Sequence, residues 1–244
     1  LFRSGMNIII KKLRFMTSNT FVKNVEHESA IKHVTGRAIY TDDISEPRNL
    51  LHAAIGFSPV SKGIIERIDF SEVLNSDGVV DIITERDIEG QNDVGPIFKG
   101  DKIFTSKKIE YHGQPIFAVI ASSTKLARQA LLKVKLKIKK QTPIITIEEA
   151  IKKKSFVLKS KTIKRGKSSS AIANSKHRLS GKLECGGQDH FYLEGQIAMT
   201  IPQEDNNFLI YSSTQHPSET QQIVAKVLNQ KFNSINVDGA SNIA

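Results

Sequence analysis

The apolar positions of this chain change rhythm several times. In "LKVKLKIKK" (132–140), Leu132, Val134, Leu136 and Ile138 alternate with Lys133, Lys135, Lys137 and Lys139. Period two with one charged face predicts a half-exposed strand at a sheet edge, where the lysines block pairing with another chain. "LLHAAIGFS" (50–58) reads as a buried strand, "VVDIIT" (79–84) as a β-branched one, and "PIFAVIA" (115–121) as a near-continuous apolar strand covered on both faces. Two helical rhythms interrupt them. "DFSEVLNSDG" (69–78) predicts a short turn of helix capped by Asp69 or Ser71, with Gly78 past its end. "SSTKLARQALL" (122–132) predicts a capped helix with Leu126, Ala127, Ala130 and Leu131 on one face. "DIEGQNDVGP" (87–96) is a loop by its glycines, Asn92, aspartates and Pro96.

After Pro143, "IEEAIKKK" predicts one or two helical turns, and "SKTIKRGKSSSAIANSK" (160–176) has the composition of an exposed linker. Leu179, Gly181, Leu183 and Cys185 then alternate as a strand. Ile197, Met199 and Ile201 form the next, and "NFLIYSS" (207–213) a third. "PSETQQIVAKVLNQ" (217–230) predicts a helix with Pro217 in its first turn and Ile223, Val224, Val227 and Leu228 on its face, and "SINV" (234–237) begins another strand. The expected organisation is residues 1–20 as a leader or translation artefact, with Met6 or Met16 as the true start. Residues 21–145 form a first domain, 146–177 a basic linker, and 178–244 the start of a second, incomplete α/β domain.

Composition narrows the class. A chain of 244 residues with 39% hydrophobic and 25% charged residues fits a folded globular protein. No apolar run approaches the roughly 18–20 residues of a membrane span, and Ile8–Ile10 is too short for a secretory core of about 7–15 residues. The single cysteine, Cys185, excludes an internal disulfide framework and fits a reducing compartment, so the expected location is cytoplasmic. The net charge of +10 is local: residues 133–167 hold thirteen Lys and Arg against Glu148 and Glu149. Phe156 is the only aromatic among them, whereas nucleic-acid surfaces interleave basic groups with stacking rings. The charge therefore reads as a solvated linker and strand face, with neither nucleic acid nor membrane as partner.

The densest chemistry is "GGQDHFYLEGQ" (186–196). Adjacent Gly186 and Gly187 in a strand pattern mark a bulge, a close approach of the backbone to something, or a plain turn. The Gln188 amide both donates and accepts, which suits holding a polar ligand and equally suits a turn. Cys185, His190 and His216 match no zinc spacing. Cys185 is expected to be a packed, inert thiol on the apolar side of its strand, and His190 a polar core or interface residue. Asp189 and Glu194 are candidates for an acid/base pair.

These motifs carry a resemblance. "GGQDHFYLEGQ" with "YSSTQHPSETQ" (211–221) is similar to the large, molybdenum-binding subunit of bacterial xanthine dehydrogenase, in the xanthine dehydrogenase/aldehyde oxidase family. "TGRAIYTDDI" (35–44), "NDVGP" (92–96) and "HGQPIFAVIA" (112–121) resemble, in the same order, the α/β hammerhead domain at the start of that subunit. The resemblance runs from about residue 21 to 237. It implies an α+β fold: a hammerhead domain followed by the beginning of a molybdopterin-binding domain, truncated. The cofactor implied is a molybdenum–molybdopterin centre that hydroxylates hypoxanthine or xanthine to urate. Electrons would pass to 2Fe-2S clusters and FAD on a small partner subunit, and finally to NAD. Gln188 matches the family's glutamine near the molybdenum, approaching it without being a ligand, and Gly186 and Gly187 match the glycines that let backbone come close. Asp189 stands where the family usually has glutamate.

After "SINV" the family continues into a "GGGFGG" segment, and its base and substrate-orienting residues lie farther on. Here "DGASNIA" follows. The expectation is therefore a break by frameshift, gene division or artificial end, with no catalytic residue assigned and a chain that is inactive alone. A non-catalytic remnant or assembly module and an aldehyde oxidase-type hydroxylase are the alternatives.

Overall fold

The computed structural model describes residues 29–192 and 194–239. The reading of 1–20 as a leader lies outside them, as do residues 21–28 of the expected first domain and the last five residues. The described chain runs α1 (Ala30–Val34), β1 (His52–Phe57), β2 (Gly63–Asp69), α2 (Ser71–Leu74), β3 (Val79–Ile83), β4 (Lys108–Ile109), β5 (Pro115–Ala121), α3 (Thr124–Leu131) and β6 (Lys135–Lys140). It continues with α4 (Ile147–Lys152), α5 (Ser168–Ala173), β7 (Ala198–Pro202), β8 (Phe208–Ser212), α6 (Pro217–Val227) and β9 (Ile235–Gly239).

Residues up to 140 build two three-stranded sheets, ordered β1-β5-β3 and β4-β2-β6. The apolar run of β5 takes the centre of the first sheet, antiparallel to both neighbours, where it can be covered on both faces. β1 lies at its edge and alternates between buried and exposed positions, so the buried strand expected over 50–58 is half-buried, with its core face at Ala54 and Gly56. An edge strand is held from one side only, and half of its side chains remain in solvent. The lysine-striped strand is β6, at an edge of the second sheet as its pattern predicts. Lys135 and Lys137 reach across to Glu72 and Glu66. Leu132 and Val134 fall before that strand, in the turn that closes α3.

The two sheets meet in one core. Ile65 and Ile109 from the second pack with Ile116, Phe117 and Val119 from the first, and Val73 and Ala130 close the ends. Phe70 meets the Phe117 ring edge-on, with centroids 4.9 Å apart. α3 lies on the first sheet through its alanines, Ala127 against Ala54 and Ala121. Its N-cap is Ser123, whose Oγ accepts the Leu126 N–H. Asp69 accepts the Ser71 N–H at the start of α2, and Gly78, at φ 72°, takes the left-handed turn beyond it.

The second unit is the sheet β7-β8-β9. β7 and β8 pair antiparallel, while β8 and β9 run parallel and are joined by α6. The buried face of α6 centres on Ala225, against Ile210 and Ile235, with Val224 and Leu228 packed around them. Ile223 and Val227, also on the predicted face, are half-buried like Val224 and Leu228. Between the units, residues 156–185 are exposed and carry only the short α5. The expected strand over 179–185 is corrected: this segment has no strand partner among the described residues. No helix among the described residues is long and apolar enough to cross a membrane.

One loop joins the units. The N–H groups of Gly90 and Gln91 donate to the carbonyls of Val227 and Lys226 at 2.9 and 3.0 Å, occupying acceptors at the C-terminal end of α6. The approach leaves no room for a side chain: a Cβ on Gly90 would lie 1.9 Å from the Lys226 carbonyl oxygen.

Candidate functional site

The quoted motifs have local structural work to do. In "NDVGP", the Asn92 amide donates to the Phe104 carbonyl and accepts the Phe104 N–H, while Asp93 accepts the N–H groups of Gly95 and Gly100. Glu85 gathers the same loop from the other side. It takes Lys102 Nζ at 2.7 Å on Oε1 and the Ser106 N–H at 3.0 Å on Oε2, and Asn92 also donates to it. The Lys102 ammonium, followed by the Ser106 bond, holds the Glu85 carboxyl down to about 2. In "HGQP", buried Gln114 accepts the Glu110 N–H through its side chain and the Ser58 N–H through its backbone carbonyl, shaping the turn into β5. In "YSSTQHPSETQ", Ser213 Oγ accepts the Ile197 N–H, and Gln221 Nε2 donates to the Ile235 carbonyl at 2.6 Å.

The run 186–196 behaves differently. Gly186, Gly187, Gln188, Asp189 and His190 are exposed and outside regular structure. Among the described residues, a Cβ on either glycine would meet nothing within 4 Å. Asp189 Oδ1 accepts the N–H of Phe191, which adopts φ 52°, so the run makes a small side-chain-closed turn. Cys185 is corrected here to an exposed thiol, because the strand that would have buried one face of its segment does not form. His190 is exposed too, outside the core of this chain. His216 is exposed at the N-cap of α6, and among the described residues no three His, Cys, Asp or Glu side chains gather as ligands.

Asp189 and Glu194 are not brought together as a pair. Glu194 turns inward, 8% exposed, and its Oε1 accepts the backbone N–H of Thr41 at 3.0 Å, across 153 residues. Its Oε2 is buried without a hydrogen-bond partner among the described residues. Thr41 is itself buried and opens a 3-10 turn, Thr41–Asp43, within "TGRAIYTDDI". Nearby in sequence, His33 Nδ1 lies 3.3 Å from the Tyr40 hydroxyl, while its Nε2 is buried and has no partner among the described residues. Sequence reasoning placed both motifs in one family and missed this contact. No periodicity in either signals it, since the partners lie on opposite sides of the linker.

The family model described as "Aldehyde oxidase and xanthine dehydrogenase, a/b hammerhead domain" matches residues 35–142, and "Molybdopterin cofactor-binding domain" matches residues 149–241. The chain belongs to the xanthine dehydrogenase/aldehyde oxidase family. It is 35% identical over 204 residues to a xanthine dehydrogenase of Drosophila pseudoobscura pseudoobscura, and 37% identical over 207 residues to aldehyde oxidase 2 of Rattus norvegicus. These matches cover 82% and 84% of this chain but 15% of each relative. The fold is shared with the aldehyde oxidoreductase of Desulfovibrio gigas, at a TM-score of 0.76 and 24% identity over 87% of this chain and 26% of that one. Quinoline 2-oxidoreductase of Pseudomonas putida 86 aligns at a TM-score of 0.73 and 19% identity, covering 87% and 29%. The α/β hammerhead and the opening of the molybdopterin-binding domain are thus the two units of the fold.

For the cofactor of this family, the donor set of 186–188 is suitable. It offers a neutral amide able to donate or accept and two backbone N–H groups with no side chain in front of them, which suit oxygen-rich, anionic groups.

Proposed function

We propose that this chain supplies the hammerhead domain and one wall of the molybdopterin site of a molybdenum hydroxylase. One observation carries the reading: the family's glutamine-bearing run leaves Gly186, Gly187 and Gln188 open, while its far end is held by buried Glu194. Gln188 contributes hydrogen bonds toward the cofactor, Gly186 and Gly187 allow close approach, and none of the three is a metal ligand. The bound molybdenum centre supplies the redox chemistry. This chain's residues orient it, and the residues that act on substrate belong to the rest of the subunit. On this reading the substrate is a purine, hypoxanthine or xanthine, and electrons leave through 2Fe-2S and FAD on a partner subunit to NAD. A second reading, oxidation of aldehydes, draws support from identities of 37% and 38% to the aldehyde oxidases 2 of rat and mouse, level with those to xanthine dehydrogenases. Inactivity of the 244-residue chain alone is part of the proposal.

The test joins the remaining part of the large subunit after Val237 and replaces Gln188 with alanine. With the cofactor closed over Gln188, losing one partner of the hydrogen bond then buried costs about 1–3 kcal/mol. Expressed in the transition state, that is a roughly ten- to hundredfold fall in turnover. Molybdenum content measured beside activity separates loss of the centre from loss of rate. Normal molybdenum with unchanged turnover per metal atom would overturn the role given to Gln188.

A further inference from the structure

Burying a carboxylate is costly unless its hydrogen bonds are supplied, and a backbone N–H aimed at it is among the stronger means of doing so. Glu194 uses this device at one place, the N–H of Thr41. The residues before it need such a hold. Among the described residues, no hydrogen bond or ion pair ties 156–187 to the rest of the molecule, and the bonds of 188–192 stay local. Gln188 precedes Glu194 by six residues, which span at most about 20 Å when extended. The Asp189–Phe191 turn shortens that reach, and Tyr192 hydroxyl bonded to Gln196 Nε2 braces the segment on both sides of the anchor. Just past the anchor, Gly195 lies against the same turn: a Cβ there would sit 3.8 Å from Asp42 Oδ2.

We infer that Glu194 is the positioning residue for Gln188, locking the cofactor-facing run to the hammerhead through the Thr41 N–H; this rests on the reading proposed above. The first consequence concerns only this chain. Glu194→Ala should raise hydrogen exchange at the Thr41 amide about tenfold or more and speed tryptic cleavage after Arg178 and Lys182, since one partner of a buried bond is gone. Glu194→Gln keeps a carbonyl oxygen for the same N–H and should restore both readouts. Thr41→Pro deletes the donor instead. Proline is tolerated at the first position of a helical turn, and Tyr40 already has the extended backbone (φ −95°, ψ 168°) that proline requires of its predecessor. It should therefore match Glu194→Ala in cleavage rate, and the double variant should be no worse than either single one.

The second arm uses the completed subunit and measures molybdenum per protein. Glu194→Ala should lose several-fold occupancy, with Glu194→Gln rescuing it. Unchanged exchange in Glu194→Ala, or a glutamine variant as impaired as the alanine one, overturns the lock. A responsive lock with full molybdenum overturns its positioning role. Failure of the underlying reading is distinct from both: Gln188→Ala would then leave molybdenum and turnover untouched while the lock still responds.

Discussion

Residues 132–140 and 179–185 are written in the same period-two alternation, yet only one is a strand. β6 pairs with β2 from Gly63↔Lys140 to Asp69↔Lys135, its Leu136 and Ile138 lie against the core, and its lysines meet Glu72 and Glu66. The second segment also places Lys182 and Glu184 as an ion pair on one side, with Leu179 and Leu183 on the other, but both leucines are exposed and no strand lies beside it among the described residues. Alternation selects which side chains would share a face. It becomes a strand only where a partner backbone and an apolar surface stand opposite to offset the entropy of ordering.

The largest effect that sharpens this contrast comes from the centre of the paired region. Phe117, 1% exposed and seated over Gly56, should cost about 3–5 kcal/mol when replaced by alanine, read by denaturant unfolding. Next is the joint between the units. Gly90→Ala forces a Cβ onto the Lys226 carbonyl and breaks two hydrogen bonds. It should lower stability by about 2–3 kcal/mol and separate the unfolding of the hammerhead from that of 198–239.

Glu85→Gln should cost less, about 1–2 kcal/mol near neutral pH, because the carboxylate is partly solvated and its pair with Lys102 is screened. Its folded value of about 2 lies below the ordinary 4.5. The charged form is therefore favoured by folding, its contribution is complete above about pH 4.5, and it is lost as pH falls toward 2. The gap between wild type and Glu85→Gln should close over that window in acid titrations of stability. A gap that persisted at pH 2 would show that the loop is held by packing instead. Smallest of all, Leu183→Ala should change stability by less than about 0.5 kcal/mol. A loss of 2 kcal/mol there would mean that 179–185 is paired in solution, and the contrast with β6 would fall.

Much of the molecule was legible in its sequence because the information is local. The lysine stripe from Lys135 on, the apolar run of β5, the Ser123 cap and Pro217 at the head of α6 each act within one turn or one pleat, so pattern and structure agree there. The two adjacent glycines at 186–187 left a bulge, a close approach and a plain turn all open, and in the structure both stand exposed outside regular structure. Partnership was not legible. Cys185 was read as inward-facing on the premise of a strand, and with no strand pairing to that segment among the described residues it lies in solvent. Glu194 looked like half of an acid/base pair with Asp189, yet its partner is the Thr41 N–H, far back in the chain. Gly90 looked like one more loop glycine, whereas it is small because the end of α6 lies against it. A sequence by itself determines which groups each short segment can offer. Which of those offers are taken is decided in the tertiary structure, because a hydrogen bond or a buried face needs a second surface, and chain topology alone brings that surface near.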